Sequence, residues 1–397
     1  MNFSQKAKNI EPSLTLEITA MANKMKEDGV DVISFSAGEP DFNTPENIIA
    51  SAYEAMKAGK TKYTPTTGIL PLKKAITEKL YRDNNLSYNT DQIIVCNGAK
   101  QCLANIFLAL LNEGEEVLIP KPYWVTYPEL VKLAGGKPVF VDTDKKNKYK
   151  FKVEDLKKYI SSKTKAIIIN SPNNPTGTVY TKEELTEIAE FAKQQDIFII
   201  SDEIYEKLIY GETEHISIAS LSEDAYRRTV VINGVSKAYA MTGWRIGYCA
   251  ASKELVSLMN SIQSHFTSNP NSIAQYASVE ALTGPQHTVE LMKVEFEKRR
   301  DFAVERLSQI DNISYIRPEG AFYVMINVSA LYGKKIGDIS VNDSLEFAKM
   351  LLESEKVAAV PGVAFGFDDY IRISYATSMN NLEKGLNRLE NFIKGLK

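Results

Sequence analysis

Between about residues 45 and 285 of this 397-residue chain, short β-branched runs alternate with stretches of helical spacing. No other feature constrains the fold as strongly, because strands joined through helices run parallel and the helices then cover the faces of the sheet. The clearest strands lie at 93–96, 116–119, 166–169, 197–200 and 229–232. The run Ala166-Ile167-Ile168-Ile169 is apolar without alternation, as in a strand buried on both faces. Between strands, Thr181-Lys182-Glu183-Glu184 has the form of a capping box, and Leu185, Ile188, Ala189 and Ala192 follow at helical spacing. Beyond Thr283-Gly284-Pro285 the pattern changes to a charged helix over 294–307, strands near 322–326, 357–360 and 371–375, and a closing helix over 382–393. The expected organisation is an arm over residues 1–44 that completes a smaller domain, a large α/β domain over 45–285, and a small α+β domain over 286–397.

A formal net charge of −3 gives no electrostatic reason to bind nucleic acid or an anionic membrane. No run approaches the ~20 apolar residues of a membrane span, and residues 1–10 lack the apolar segment of a secretion signal. Cys96, Cys102 and Cys249 are odd in number and show no CxxC spacing, which fits a reducing cytoplasm and reads as buried packing. His215, His265 and His287 are scattered, so no metal site is expected. The basic run Lys145-Lys146-Asn147-Lys148-Tyr149-Lys150 reads as a solvated loop.

Open α/β sheets bind ligands outside the carboxyl ends of their strands, so the residues that follow each strand are the candidates. Lys237 follows the 229–232 run, with small Gly234 and Ser236 beside it and Arg245 eight residues on between Gly243 and Gly247. Lysine forms Schiff bases when desolvation or a neighbouring cation lowers its pKa, and arginine grips phosphate through a fixed fork of donors. Asn97-Gly98-Ala99-Lys100 precedes a helix with Leu103, Ile106, Phe107, Leu110 and Leu111 in one apolar stripe. Free N–H groups at such a helix start bind phosphate, and Gly98 allows close approach. Asp202 ends the 197–200 run, where a carboxylate can keep a pyridine nitrogen protonated or simply cap the next turn. Arg372 stands inside an otherwise apolar strand and requires an anion, from a substrate or from an internal carboxylate. Trp124 follows the 116–119 run and serves a crevice or a core equally well. Asn170-Ser171-Pro172-Asn173-Asn174-Pro175-Thr176-Gly177 is a rigid loop that turn chemistry alone explains.

The order Gly234-Val235-Ser236-Lys237, then Gly243-Trp244-Arg245-Ile246-Gly247, resembles the cofactor-lysine signature of the class I and II aminotransferases, fold type I enzymes that use pyridoxal 5′-phosphate. Ser36-Ala37-Gly38-Glu39-Pro40-Asp41-Phe42 and the 170–177 loop resemble further motifs of the family, so the likeness runs through nearly the whole chain and is close to the bacterial aspartate aminotransferases. It implies an α/β fold with a mostly parallel seven-stranded sheet between helices, a smaller α+β domain, and a homodimer with shared active sites. Lys237 then joins the cofactor and carries the substrate Cα proton, Asp202 faces the ring nitrogen, and Tyr205 and Asn174 face the ring oxygen. Gly98, Ala99, Lys100, Ser236 and Arg245 surround the phosphate, with Tyr63 reaching it from the partner subunit. Trp124 stacks on the ring; Gly38, Trp124, Asn174 and Arg372 meet the substrate, the arginine gripping its α-carboxylate. The implied reaction is amino transfer between an amino acid, aspartate or glutamate, and a 2-oxo acid, with an aromatic aminotransferase or a lyase on the same fold as alternatives.

Departures from the family pattern bear on specificity. Some relatives place a histidine behind the aspartate where this chain has Tyr127, and many carry an arginine for the distal carboxylate shortly before Ser-Asn-Pro. Here Gln263-Ser264-His265-Phe266-Thr267 precedes Ser268-Asn269-Pro270 without one, which leaves Lys100, with Ser13 or Thr15 of the arm, as the replacement. Relatives that accept prephenate have lysine before Pro-Ser; Glu11 stands there and predicts little prephenate activity.

Overall fold

The computed structural model describes residues 2–397. Seven strands form one sheet: β1 (Ile93–Cys96), β2 (Glu116–Pro120), β3 (Lys137–Val141), β4 (Thr164–Asn170), β5 (Phe198–Asp202), β6 (Thr229–Gly234) and β7 (Gly247–Ala250). Their order is β1-β7-β6-β5-β4-β2-β3, parallel throughout except for β7, which is antiparallel to both neighbours. β3 and β7 are absent from the sequence reading for local reasons. β3 is a half-exposed edge strand that tolerates Pro138, and β7 is a four-residue run opened by glycine. The strand expected at 197–200 runs on to Asp202, which places that carboxylate at the strand's last position.

Burial on both faces explains the unalternating run in β4. Ala166 and Ile168 pack with Cys102, Leu103, Ile106 and Met259 of the helices Ala99–Leu110 and Lys253–Phe266. Ile167 and Ile169 pack on the opposite side with Leu185, Ile188 and Ala192 of the helix Lys182–Gln194. That helix starts at the expected capping box: the Thr181 N–H donates to Glu184 Oε2 at 2.8 Å, and the Glu184 N–H to Thr181 Oγ1 at 3.3 Å.

A second, antiparallel sheet joins Val360–Pro361, Tyr370–Ser374, Tyr323–Asn327 and Ser314–Tyr315 in that order. It is backed by helices His287–Leu307, Ser344–Glu355 and Met379–Gly395. The first begins seven residues before the expected 294, since buried Val289 and Met292 extend its stripe. The strand expected over 357–360 is split in two. Val357–Ala358 pairs in parallel with Ile33–Ser34, while Val360–Pro361 joins the second sheet. Phe35 belongs to that sheet's core, so the segment after the N-terminal helix Leu14–Glu27 is built into this layer.

Two expectations need correction. The run 145–150 is solvated only in part: Lys145, Lys146 and Lys148 are exposed, but Lys150 is buried, with Nζ donating to Glu184 Oε2 at 2.6 Å and to the Val179 carbonyl at 3.3 Å. Tyr149 packs on Phe367 and Tyr370, and Lys145 Nζ donates to Ser314 Oγ at 2.8 Å. The acceptors lie far away in sequence, so the charge run alone could not reveal them. Nor is His215 isolated, since its Nε2 lies 3.2 Å from Glu203 Oε2 and 3.9 Å from Glu206 Oε2; Lys79 pairs with Glu206 there. The three cysteines come together as well, every thiol within 4.8 Å of the others and all buried. Among the described residues no helix is long and apolar enough to cross a membrane.

Candidate active site

The carboxyl ends of β1, β4, β5 and β6 open on one cavity of about 390 Å³, which the second sheet closes with Tyr323 and Arg372. Of the residues singled out from sequence, all but Gly98 and Tyr63 line it. Lys237 stands three residues beyond β6, partly buried, and its Nζ donates to the Gly38 carbonyl at 2.5 Å. Burial pulls its pKa down to about 8; Glu39 opposes that, and Arg245 and Arg372 add to it. A buried ammonium is disfavoured relative to the amine, so this lysine is nucleophilic nearer neutral pH than a surface one.

Asp202, buried at the end of β5, accepts a hydrogen bond from Tyr127 Oη at 2.7 Å and one from the Ile204 N–H at 3.3 Å. Its pKa is pushed up to about 6, chiefly by burial, with the Tyr127 hydroxyl acting in the opposite sense. Tyr127 therefore supplies the support that a histidine gives in some relatives, and its ring meets Trp124 edge-on at 5.4 Å between centroids. The loop after β4 is tied to β5, since Asn170 Nδ2 donates to the Asp202 carbonyl at 2.9 Å and Asn170 Oδ1 accepts the Asn174 N–H at 2.8 Å.

One end of the cavity is built for an anion. Gly98, at φ +81°, precedes the helix Ala99–Leu110, and a Cβ there would lie 2.5 Å from Arg245 Nη2. A side chain on Gly247 would strike the Ala99 nitrogen, so β7 seats directly against the helix start. Ala99 and Lys100 are the first residues of that helix and have no intrahelical acceptor for their N–H groups. The Arg245 guanidinium donates only to the carbonyls of Thr242 and Asn97, at 2.9 and 3.5 Å, and pairs with no carboxylate among the described residues.

A second arginine lines the same cavity. Arg372 is buried, with Nη1 donating to Asn174 Oδ1 at 2.9 Å and Nη2 to the Ser36 carbonyl at 3.1 Å. Its Nε is buried without a partner, and its guanidinium lies 4.3 Å from the Tyr323 ring centroid and 5.0 Å from that of Phe365. An internal carboxylate, the alternative anion, does not pair with it among the described residues. The donor set thus fits pyridoxal phosphate: an amine for its aldehyde, a buried carboxylate for its ring nitrogen, and a helix start with an unneutralised arginine for its phosphate.

Lys100 Nζ lies 5.2 Å from the Trp124 ring, and burial lowers its pKa, assisted by Arg245. Tyr63 is 92% exposed and lies outside the cavity. Sequence reasoning missed Tyr323, Phe365 and Ser36. Tyr323 carried a faint signal, a hydroxyl within a run of core residues that must find a partner when buried.

The chain matches the family model for aminotransferase class I and II over residues 30–389. It is 51% identical over 392 residues to an aspartate aminotransferase of Bacillus sp. strain YM-2, covering 99% of both chains. It is 49% identical over 394 residues to the aspartate aminotransferase of Bacillus subtilis strain 168, again covering 99% of both. Among solved structures, the aspartate aminotransferase of Rhizobium meliloti superimposes with a TM-score of 0.96 at 40% identity, covering all of both chains.

Proposed function

The chain belongs to the class I and II aminotransferases, which depend on pyridoxal phosphate, and from that premise we propose that it exchanges the amino group of aspartate or glutamate with 2-oxoglutarate or oxaloacetate. One observation carries the reading: a desolvated lysine, a buried carboxylate and two arginines without carboxylate partners share a single cavity. The names of the Bacillus relatives support the choice of aspartate.

Bound pyridoxal phosphate supplies an aldehyde that condenses with amines and a ring that takes up the electrons of a broken Cα–H bond. Arg245, the Ala99 and Lys100 N–H groups and Ser236 hold its phosphate, Trp124 covers its ring, and Asp202, kept in place by Tyr127, keeps its nitrogen protonated. Tyr205 and Asn174 donate toward its ring oxygen. Arg372 binds the α-carboxylate of the amino acid bidentately and turns the Cα–H bond toward Lys237. Lys237 Nζ would take the Cα proton of the bound amino acid as general base and return it as general acid. Gly38, whose carbonyl accepts from Lys237 Nζ, borders the substrate.

For the distal carboxylate we assign Lys100, assisted by Ser13 or Thr15, which line the same cavity. In this reading the molecule is a cytoplasmic homodimer, with residues 45–285 as the cofactor-binding domain and residues 1–44 with 286–397 as the small domain. Tyr63 of each subunit completes its partner's phosphate site. Steady-state kinetics with aspartate, phenylalanine and prephenate as amino donor or acceptor test the substrate. A higher kcat/KM for phenylalanine than for aspartate overturns the choice of donor, and unchanged aspartate specificity in Lys100→Ala overturns the role of that lysine. Efficient turnover of prephenate contradicts the effect assigned to Glu11.

A further inference from the structure

Tyr323 opens the strand Tyr323–Asn327 and is almost fully buried, with a relative exposure of 1%. In the antiparallel register it stands opposite Ser374, and Arg372 opposite Met325, so Tyr323 and Arg372 are diagonal neighbours on one face of the sheet. Its ring lies under the Arg372 guanidinium at 4.3 Å. Its hydroxyl is 2.9 Å from the Tyr205 hydroxyl and has no other hydrogen-bond partner among the described residues. One side chain thus touches both the group that takes the substrate carboxylate and the group that faces the cofactor's ring oxygen.

We propose that Tyr323 is a positioning residue for amino transfer: its ring supports Arg372, and its hydroxyl donates to Tyr205 so that the Tyr205 proton points into the cavity. Each phenol has a single proton, so the pair has only two arrangements. If Tyr205 donates to Tyr323, Tyr205 presents no donor to the cavity. If Tyr323 donates to Tyr205, the Tyr205 O–H is free for the cofactor and is strengthened by the bond it receives. The surroundings favour the second arrangement. Burial raises both phenols and Arg372 acts against it at both, but the guanidinium is stacked on the Tyr323 ring itself, 4.3 Å from its centroid, which makes Tyr323 the better donor. Tyr323 also fixes the approach of the substrate loop, since a Cβ on Gly38 would sit 3.2 Å from its hydroxyl.

The inference rests on the pyridoxal phosphate reading of the site, and its test separates the two. Holoenzyme, Tyr323→Phe and Tyr323→Leu are titrated with pH while the visible absorption of the cofactor is followed, and kcat and KM for the amino acid are measured for each. Without the Tyr323 hydroxyl, Tyr205 is a weaker donor to the anionic ring oxygen, so the neighbouring cofactor proton is lost at higher pH. The midpoint for Tyr323→Phe is expected to rise by roughly half a pH unit, the scale of one neutral hydrogen bond, with kcat down several-fold. The phenylalanine ring stays under Arg372, so KM is expected to change by less than about threefold. Tyr323→Leu removes the ring as well and raises KM further. A Tyr323→Phe titration superimposable on that of the parent overturns the proposal. A visible band that persists covalently in Lys237→Ala overturns the site assignment itself.

Discussion

Lys237 and Asp202 show at the scale of single residues how burial tunes a site, because it moves their pKa values toward one another, down to about 8 for the amine and up to about 6 for the carboxyl. The neutral amine grows with pH through its pKa, so the rate at which cofactor-free protein captures pyridoxal phosphate should rise nearly tenfold per unit below about pH 8 and level off above it. Stopped-flow absorbance checks this; a rate that goes on rising tenfold per unit from pH 8 to 10 contradicts a depressed lysine. Lys237→Ala should lose at least about 10³-fold in kcat, since the Lys100 amine in the same cavity is assigned to the distal carboxylate and not to Cα. For Asp202 the folded pKa lies above the unfolded value of 3.8, so between these values the folded state binds the extra proton and stability falls as pH rises. Cofactor-free Asp202→Asn should therefore be more stable than the parent at pH 8, by about 3 kcal/mol, with the gap closing below about pH 4. The same substitution should lower kcat by about 10²-fold or more, because the ring nitrogen loses its anion. Calorimetry and kinetics on one variant thus read opposite signs, and a variant that is both less stable and fully active would refute the assignment.

At the scale of elements, the helix Ala99–Leu110 does two jobs, packing Cys102, Leu103 and Ile106 against the sheet and pointing its N-terminus at the cavity. Only the absence of a side chain at Gly98 lets Arg245 reach that N-terminus. Gly98→Ala also forces alanine into a positive-φ extended conformation, φ 81° and ψ 161°, that essentially only glycine adopts and that costs about 1–3 kcal/mol, so the cofactor dissociation constant should rise by roughly tenfold or more. A spectrophotometric titration measures it; an unchanged constant would mean that the phosphate lies elsewhere. The helix, its stripe and its glycine were legible in the chain because each is a local pattern. The position of Arg245 against the helix start was not, since it depends on β7 returning antiparallel beside β1, and a four-residue strand opened by glycine carries little pattern.

For the whole molecule, Tyr63 is exposed in the single chain, and the proposed homodimer would place it at the partner's phosphate. Mixing inactive Tyr63 and Lys237 variants should restore about a quarter of parent activity, because half of randomly mixed dimers are hybrids and each hybrid holds one intact site of two. A fully active monomer in sedimentation contradicts the dimer. The sequence by itself determined the alternation that makes a parallel sheet and the strand ends where ligands collect, because periodicity and turn chemistry act within a few residues along the chain; Lys237, Asp202 and Arg372 were singled out there by the family resemblance. Tertiary structure alone decided what each side chain meets. Tyr127 became the support of Asp202, Lys150 found Glu184 across the layer, and Tyr323 joined Arg372 to Tyr205 through a second sheet more than one hundred residues away. Such pairings rest on distance and direction in space, and residue type records only that a buried hydroxyl or charge needs a partner.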